Sequence, residues 1–325
     1  MTEMATGRRP LVSIVVPVYF NEETLEELHG RFVQLAEDVP DCDWEFIFVD
    51  DGSKDGSFRV LSAIREKDGR TGLVKLARNY GSHAAILAGM SVAKGDAVAF
   101  VTADLQDDPM LLREMVADWR NGSPVVMAVR EGREDSFKDR LFAKLYYKAI
   151  RRVAIPDMPE DGYDFALLDR QVVDILVGIR EKNTTLTGLI VWLGFPHTLH
   201  PYTRKAREKG RSRWTIAKKV KLLVDSVVSF SYFPVRLMSV LGIMISLAAF
   251  LYAGFLIVHK IIRGFPVEGW TSLMVVLLIV SGIQLIALGV LGEYIWRTLD
   301  ASRGRPPFVI HRNVQSRYSR ENERE

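Results

Sequence analysis

The sequence predicts an α/β protein: a mostly parallel sheet with helices packed against it, followed by a pair of membrane-crossing helices. Up to residue 213, short β-branched runs alternate with stretches of helical period. Those runs are apolar throughout instead of at every second position, as strands buried on both faces of a parallel sheet are. Near residue 235 the chain changes character, and two long uncharged stretches begin. The 325 residues suffice for one large domain or two small ones. A formal net charge of +3 is too small for the field of a nucleic-acid binder, so no nucleic-acid partner is expected. The single cysteine, Cys42, permits no internal disulfide.

The first apolar run, "LVSIVVPVY", is too short and too β-branched to span a membrane, and no small-residue cleavage site follows it, so it is read as a strand and not a signal peptide. "WEFIFVD", "GLVKLA", "AVAFVTAD" and "PVVMAVR" are the next strands. Between them lie the helices "EETLEELHGRFVQLAEDV", "GSFRVLSAIREKDG", "GSHAAILAGMSVAKG" and "DPMLLREMVADWRNG". "SFKDRLFAKLYYKAIRRVAI" and "WTIAKKVKLLVDSVVSFSYF" mix apolar residues with Lys and Arg at helical spacing. They are expected to lie in the headgroup plane, the alternative for each being packing onto the sheet. Residues 237–258 and 271–292 are each long enough for the ~20 residues that cross a hydrocarbon core, the alternative being a pair of buried core helices. Their connector, "HKIIRGFPVEGW", is short, so they form a hairpin. Lys218, Lys219, Lys221 and Arg236 precede the hairpin and Arg297, Arg303, Arg305 and Arg312 follow it, against Lys260 and Arg263 in the connector. Both chain ends are therefore expected on the cytoplasmic side. The expected organisation is a cytoplasmic domain over 1–213, a juxtamembrane helix over 214–236, a hairpin over 237–296 and a cytoplasmic tail over 297–325. Tyr202, Trp214 and Tyr232 are candidate interfacial anchors, Glu293 falls at the membrane edge, and the polar "HRNVQSRYSRENERE" is expected to be exposed and disordered.

Ligands of parallel α/β sheets bind beyond the carboxyl ends of the strands. Glu22 follows the first strand, Asp50 and Asp51 the second, and Asp104 the fourth; no G-x-G-x-x-G follows the first. The acids of "VDDGSKDGS" can hydrogen-bond a ribose or a base edge, or the stretch is a turn with Ser53 or Asp55 capping the next helix. In "TADLQDDP", Asp107 or Asp108 caps the helix that starts at Pro109. Capping leaves Asp104 and Gln106 unexplained. A carboxylate and an amide oxygen suit a hard divalent cation, with water and a diphosphate filling the remaining positions.

"VVPVYFNEE", "VDDGSKDGS", "LARNYGSHAAILAG", "TADLQDDP" and "RKAREKGRSRW", with "FSYFPVR" and "LGVLGEYIWR" around the hairpin, resemble family 2 glycosyltransferases of the GT-A fold. More narrowly they are similar to the polyprenyl-phosphate glycosyltransferases: bactoprenol glucosyltransferases, the undecaprenyl-phosphate aminoarabinosyltransferase and dolichyl-phosphate mannose synthases. The resemblance covers nearly the whole chain. It implies that a sugar passes, with inversion, from a nucleotide diphosphate (uridine diphosphate, by likeness to the bacterial members, with guanosine diphosphate the alternative) to undecaprenyl phosphate at the inner membrane. It implies nucleoside contacts by Pro17, Tyr19, Glu22, Asp50, Asp51 and Ala103, and Mg²⁺ or Mn²⁺ on Asp104 and Gln106. Asp104 and Asp164 would be catalytic, and Arg130, Arg140, Arg207 and Arg213 would meet the acceptor phosphate, for which arginine's bidentate geometry is suited. It also implies a homo-oligomer, a tetramer. A lipid monophosphate is already largely ionised near neutral pH, so Asp164 orients the acceptor or takes a residual proton. Two positions depart from the family pattern. Thr102 stands at the first acid of D-x-D-L-Q, which implies a cation site completed only by the donor, and Ala166 replaces the arginine of "GDFRL". Two other readings remain: a processive polysaccharide synthase, disfavoured by the missing glutamine of Q-x-x-R-W and by the two spans, and a membrane-anchored scaffold that binds a nucleotide sugar without consuming it. Donor turnover separates the scaffold from the transferase.

Overall fold

A computed structural model describes residues 8–130, 137–182, 184–202, 224–263 and 269–319. The elements are β1 (Leu11–Val18), α1 (Leu25–Asp38), β2 (Asp43–Asp50), α2 (Ser57–Lys67), β3 (Thr71–Leu76), α3 (Ser82–Val92), β4 (Ala97–Phe100), α4 (Leu112–Arg120), β5 (Val125–Arg130), α5 (Phe137–Val153), β6 (Tyr163–Asp169), α6 (Arg170–Gly178), α7 (Leu186–Trp192), β7 (His197–Tyr202), α8 (residues 224–230), α9 (Phe233–Arg263), α10 (Trp270–Ser302) and β8 (Ile310–Val314). The strands form a single sheet in the order β7-β5-β6-β4-β1-β2-β3-β8.

The parallel strands follow from their side chains. β1 reads LVSIVVPV with seven of eight residues buried, and it lies centrally, parallel to β2 on one side and β4 on the other. β3 continues the parallel run and β5 pairs parallel with β7. β6 runs antiparallel between β4 and β5, and β8 antiparallel along β3, so the sheet is mostly parallel as expected. α1 covers one face with Leu25, Leu28, Phe32 and Leu35, spaced on one helical stripe, and Phe32 stacks on Phe46 of β2. α3 is apolar all round and buried; Gly89 lets it approach β1, because a Cβ there would lie 2.3 Å from a Val15 methyl carbon. The N-cap of α2 is Gly56, without a side-chain cap bond, so neither Ser53 nor Asp55 stands at the cap position. Asp55 accepts from the Ser57 N–H, whereas Ser53 accepts from the Phe20 N–H. Asp108 caps the turn at Pro109–Leu111 through the Met110 N–H.

The tail departs from expectation. Residues 310–314 form an edge strand, and Ser316 is buried with its hydroxyl bonded to Glu45 of β2. Polar composition read as disorder because an edge strand draws its partners from backbone groups and needs few apolar side chains. Glu45 is itself buried and also accepts from the Ser13 hydroxyl (2.6 Å) and the Lys94 N–H (2.9 Å). Glu45→Ala strands those donors in the interior, and thermal unfolding is expected to show a loss of about 3 kcal/mol. A melting point equal to that of the parent would contradict this.

Within the first basic segment, Tyr146 and Tyr147 of α5 pack against the core and Ile150 is buried in it, while Lys144 and Lys148 are exposed. The packing alternative therefore holds for that face. Of the second segment, only residues from 224 onward are described, and 224–230 are helical. α9 begins where the Ser231 hydroxyl accepts from the Phe233 N–H, with Pro234 in the first turn. Phe233–Leu256 and Ser272–Ser302 are long and apolar enough to cross a membrane, and the most apolar 18-residue stretch of each has no buried residue. At the far end of α10, Arg297 bonds Asp225 of α8 (2.6 Å), Glu293 (2.8 Å) and Ser229 (3.2 Å). Lys182 faces Asp300 at 3.6 Å and Tyr146 bonds Ser226 at 2.8 Å, tying the helical pair to the sheet domain.

Candidate active site

The carboxyl ends of β1, β2 and β4 converge on one rim of the sheet, where two backbone outliers sit. Phe20 (φ 59°) and Leu105 (φ 60°) are the non-glycine residues in the left-handed region among the described residues. Each lies in a loop that the sequence singled out, and strain of this kind concentrates where a loop must present groups to a ligand. The two loops are tied together by the Thr24 hydroxyl, which donates to the Ala103 carbonyl at 2.7 Å. Tyr19 is exposed and packs edge-on against Phe20; Pro17 is half-buried at the end of β1.

The acids beside these loops are already engaged. Asp51 accepts from the Tyr80 and Gly81 N–H groups at 2.7 and 2.8 Å, so it braces the loop after β3; burial pushes its pKa up against the pull of those two bonds. Glu22 accepts from the Gly56 N–H (2.8 Å) and pairs with Arg59, and a Cβ at Gly56 would collide with its carboxylate. Asp50 is fully buried; one oxygen accepts from the Ser53 N–H, and the other faces the Lys75 ammonium at 4.0 Å. These carboxylates shape the rim by holding backbone. The exposed Arg78, whose guanidinium lies 4.3 Å from the Tyr80 ring centroid, is a rim residue the sequence reading did not single out.

At the end of β4 the Thr102 hydroxyl lies 2.8 Å from Asp104 Oδ1 and 2.6 Å from Asp107 Oδ2. It has one proton, so it donates to one carboxylate at a time. Asp107 is fully buried, and its other oxygen accepts from the Tyr202 hydroxyl at 2.8 Å. Tyr202 also reaches Asp164 Oδ2 at 2.5 Å, and both oxygens of Asp164 are held by Arg130 in a bidentate pair. A continuous polar chain therefore runs from Asp104 to Arg130 across β4, β6, β5 and β7. Burial, reinforced by the two carboxylates, pushes the Tyr202 phenol well above its ordinary range. Burial pulls Arg130 down, but the Asp164 carboxylate outweighs it and the guanidinium stays charged. The Tyr202 hydroxyl is thus engaged in this polar chain, beside its expected place as an interfacial anchor. It gets there because β7 pairs parallel with β5 and sets Tyr202 opposite Arg130, a register with no local signal. Asp107 had a signal: two acids precede Pro109 and a cap needs one. Ala166 is fully buried between Phe100 and Met127, so core packing occupies that position. Arg140 lies on α5. Arg207, Arg213 and Trp214 lie outside the described residues.

Asp104 Oδ1 also accepts from the Gln106 N–H at 3.3 Å, which folds the two candidate cation ligands around Leu105. Among the described residues no three His, Cys, Asp or Glu side chains group as a ready metal cage. The donor set fits a hard cation only if ligands from outside the protein complete the shell.

Residues 13–176 match the description of glycosyl transferase family 2. The Bacillus subtilis protein called uncharacterized glycosyltransferase YkcC is 38% identical over 313 residues, 96% of this chain and 95% of its own. The bactoprenol glucosyl transferase of Shigella phage SfV is 33% identical over 305 residues, 94% of this chain and 99% of its own. Among solved structures, the mannosyltransferase PcManGT from Pyrobaculum calidifontis, in complex with GDP-Man and Mn²⁺, superposes with a TM-score of 0.50 at 19% identity. That superposition covers 69% of this chain and 64% of that one, and it establishes the GT-A type of fold.

Proposed function

The chain belongs to glycosyl transferase family 2, and we propose that it passes a sugar, with inversion, from a uridine diphosphate donor to undecaprenyl phosphate at the cytoplasmic face of the membrane. The observation that carries this reading is the polar chain from Asp104 to Arg130. It joins Asp104, beside Gln106, to the Arg130 guanidinium within one site, an arrangement that suits a cation at one end and a phosphate at the other. Support comes from relatives that bear the name bactoprenol glucosyl transferase and from the fold neighbour solved with GDP-Man and Mn²⁺.

Asp104 and Gln106 would hold Mg²⁺ or Mn²⁺, which when bound neutralises charge on the departing diphosphate. The loops carrying Pro17, Tyr19 and Ala103 border the nucleoside, with Glu22, Asp50 and Asp51 fixing their shape. Arg130 uses Nε and one Nη2 proton on Asp164, so its remaining N–H groups are directed to the acceptor phosphate. Asp164 positions that guanidinium and, with Tyr202, keeps the acceptor in line for attack on the anomeric carbon. Arg140, Arg207 and Arg213 add positive charge for the second anion. α9 and α10 anchor the chain in the bilayer, with the domain and both ends on the cytoplasmic side. A Cβ at Gly282 or Gly289 of α10 would meet nothing, which leaves a small-residue face for packing between copies in a homo-oligomer, a tetramer.

The test is the full chain in detergent with undecaprenyl phosphate, Mg²⁺ or Mn²⁺, and a panel of UDP- and GDP-sugars, read by mass spectrometry. A metal-dependent glycosylated lipid phosphate from a UDP-sugar is expected. Nucleotide binding with no product from any donor would overturn the transferase and leave a nucleotide-sugar-binding membrane protein.

A further inference from the structure

We propose that Arg312, on the returning strand β8, completes the nucleobase end of the donor site and donates to a carbonyl of the base. The proposal rests on the transferase reading above. If the diphosphate sits at Asp104, beyond β4, then Arg130 and Asp164 occupy β5 and β6 on one side of it, and the nucleoside must extend the other way, over β1 and β2 toward β3. Three strand spacings separate β4 from β3, about 14 Å, comparable to an extended nucleoside diphosphate. β8 is the next strand outward.

Residues Val18, Asp50, Lys75 and Arg312 are successive register partners across β1, β2, β3 and β8. Register partners project from the same face of a sheet, so the row ends in two adjacent cations near the rim. Lys75 is turned inward: its ammonium faces Asp50 and lies 4.5 Å from the Phe58 ring centroid. Arg312 reaches the same ring at 5.9 Å, is exposed, and among the described residues has no carboxylate in ion-pair distance. Its N–H groups remain available to a ligand.

β8 is held along β3 at both ends, residues 315–317 lying at the end away from the rim. Ser316 bonds the buried Glu45, Arg65 donates to the Gln315 carbonyl (3.1 Å), and the Arg317 N–H to the Gly69 carbonyl (2.9 Å). Just before β8, the Val309 carbonyl accepts from the Ala77 N–H at 2.9 Å. Ala77 begins the loop that Asp51 braces through Tyr80 and Gly81, so the tail abuts the loop bordering the nucleoside. A guanidinium donor suits bases with carbonyl edges, uracil or guanine, over adenine.

The full chain in detergent with Mn²⁺ would be titrated calorimetrically with UDP, ADP and inorganic pyrophosphate, beside Arg312→Ala and, as a control for tail charge, Arg305→Ala. Arg312→Ala should weaken UDP about tenfold and leave pyrophosphate unchanged, whereas Arg305→Ala should leave both unchanged. In turnover, the donor KM should rise about tenfold with kcat within about twofold. Unchanged UDP affinity, or an equal loss for pyrophosphate, overturns the proposal and leaves the donor site standing. A parent chain that binds neither UDP nor pyrophosphate overturns the donor site and the proposal with it. Thermal unfolding checks that Arg312→Ala keeps its tail; if it does not, Ser316→Ala, which loosens the tail but keeps the guanidinium, must bind UDP more tightly than Arg312→Ala.

Discussion

Asp104→Asn is expected to reduce kcat by about a thousandfold while the protein stays folded. The asparagine retains the side-chain shape and an oxygen that can accept from the Gln106 N–H and the Thr102 hydroxyl, so the loop around Leu105 keeps its conformation. What it loses is charge. Thr102 provides a neutral hydroxyl where a second acid would share the load, which leaves Asp104 as the anionic ligand of the pair it forms with Gln106. The Mn²⁺ concentration for half-maximal activity should rise more than about tenfold together with the fall in kcat. Activity within about tenfold of the parent would show that the cation is held elsewhere.

Arg130→Ala is expected to cost both stability and turnover, and the double change with Asp164→Ala to separate the two. The Arg130 and Asp164 side chains are 15% and 12% exposed. Removing the guanidinium leaves a carboxylate in a poorly hydrated site beside the Tyr202 phenol, a loss of about 3 kcal/mol. Removing both relieves that penalty, so melting temperature should return most of the way in Arg130→Ala/Asp164→Ala. Turnover should not return if Arg130 meets the acceptor phosphate as proposed, because that contact stays lost. A double variant that regains activity with its stability would reduce Arg130 to a structural counter-ion of Asp164.

The elements legible in the sequence are those whose local pattern alone decides them. β1 to β5 and α1 to α4 show continuous apolar runs or a helical stripe, because each is buried on faces that the pattern records. The order of the strands was not legible. β6 inserts between β4 and β5, which are neighbours in sequence, and nothing within YDFALLD specifies that position. β7 and β8 are edge strands of mixed polarity, HTLHPY and IHRNV, whose partners are backbone groups distant in the chain. The site divides the same way. Asp104, Arg130 and Asp164 follow from motifs, whereas Tyr202 depends on the β5–β7 register, and Asp107 was masked by a capping role that Asp108 performs. Glu22 and Asp51 stand where motif reading puts nucleoside ligands, and they also hold backbone N–H groups of Gly56, Tyr80 and Gly81, a contact that only coordinates can show.

The last strand of the sheet is also the last to be made. β8 leaves the ribosome roughly a hundred residues after β7, with both long apolar helices synthesised in between. At typical elongation rates that interval is about 5 to 20 s. Throughout it, β3 carries an open edge of unpaired backbone groups, the kind of surface that recruits strands from other nascent chains. The sheet can close only once α9 and α10 have been synthesised, so the emergence of these two apolar helices comes before, and sets the clock for, completion of the fold.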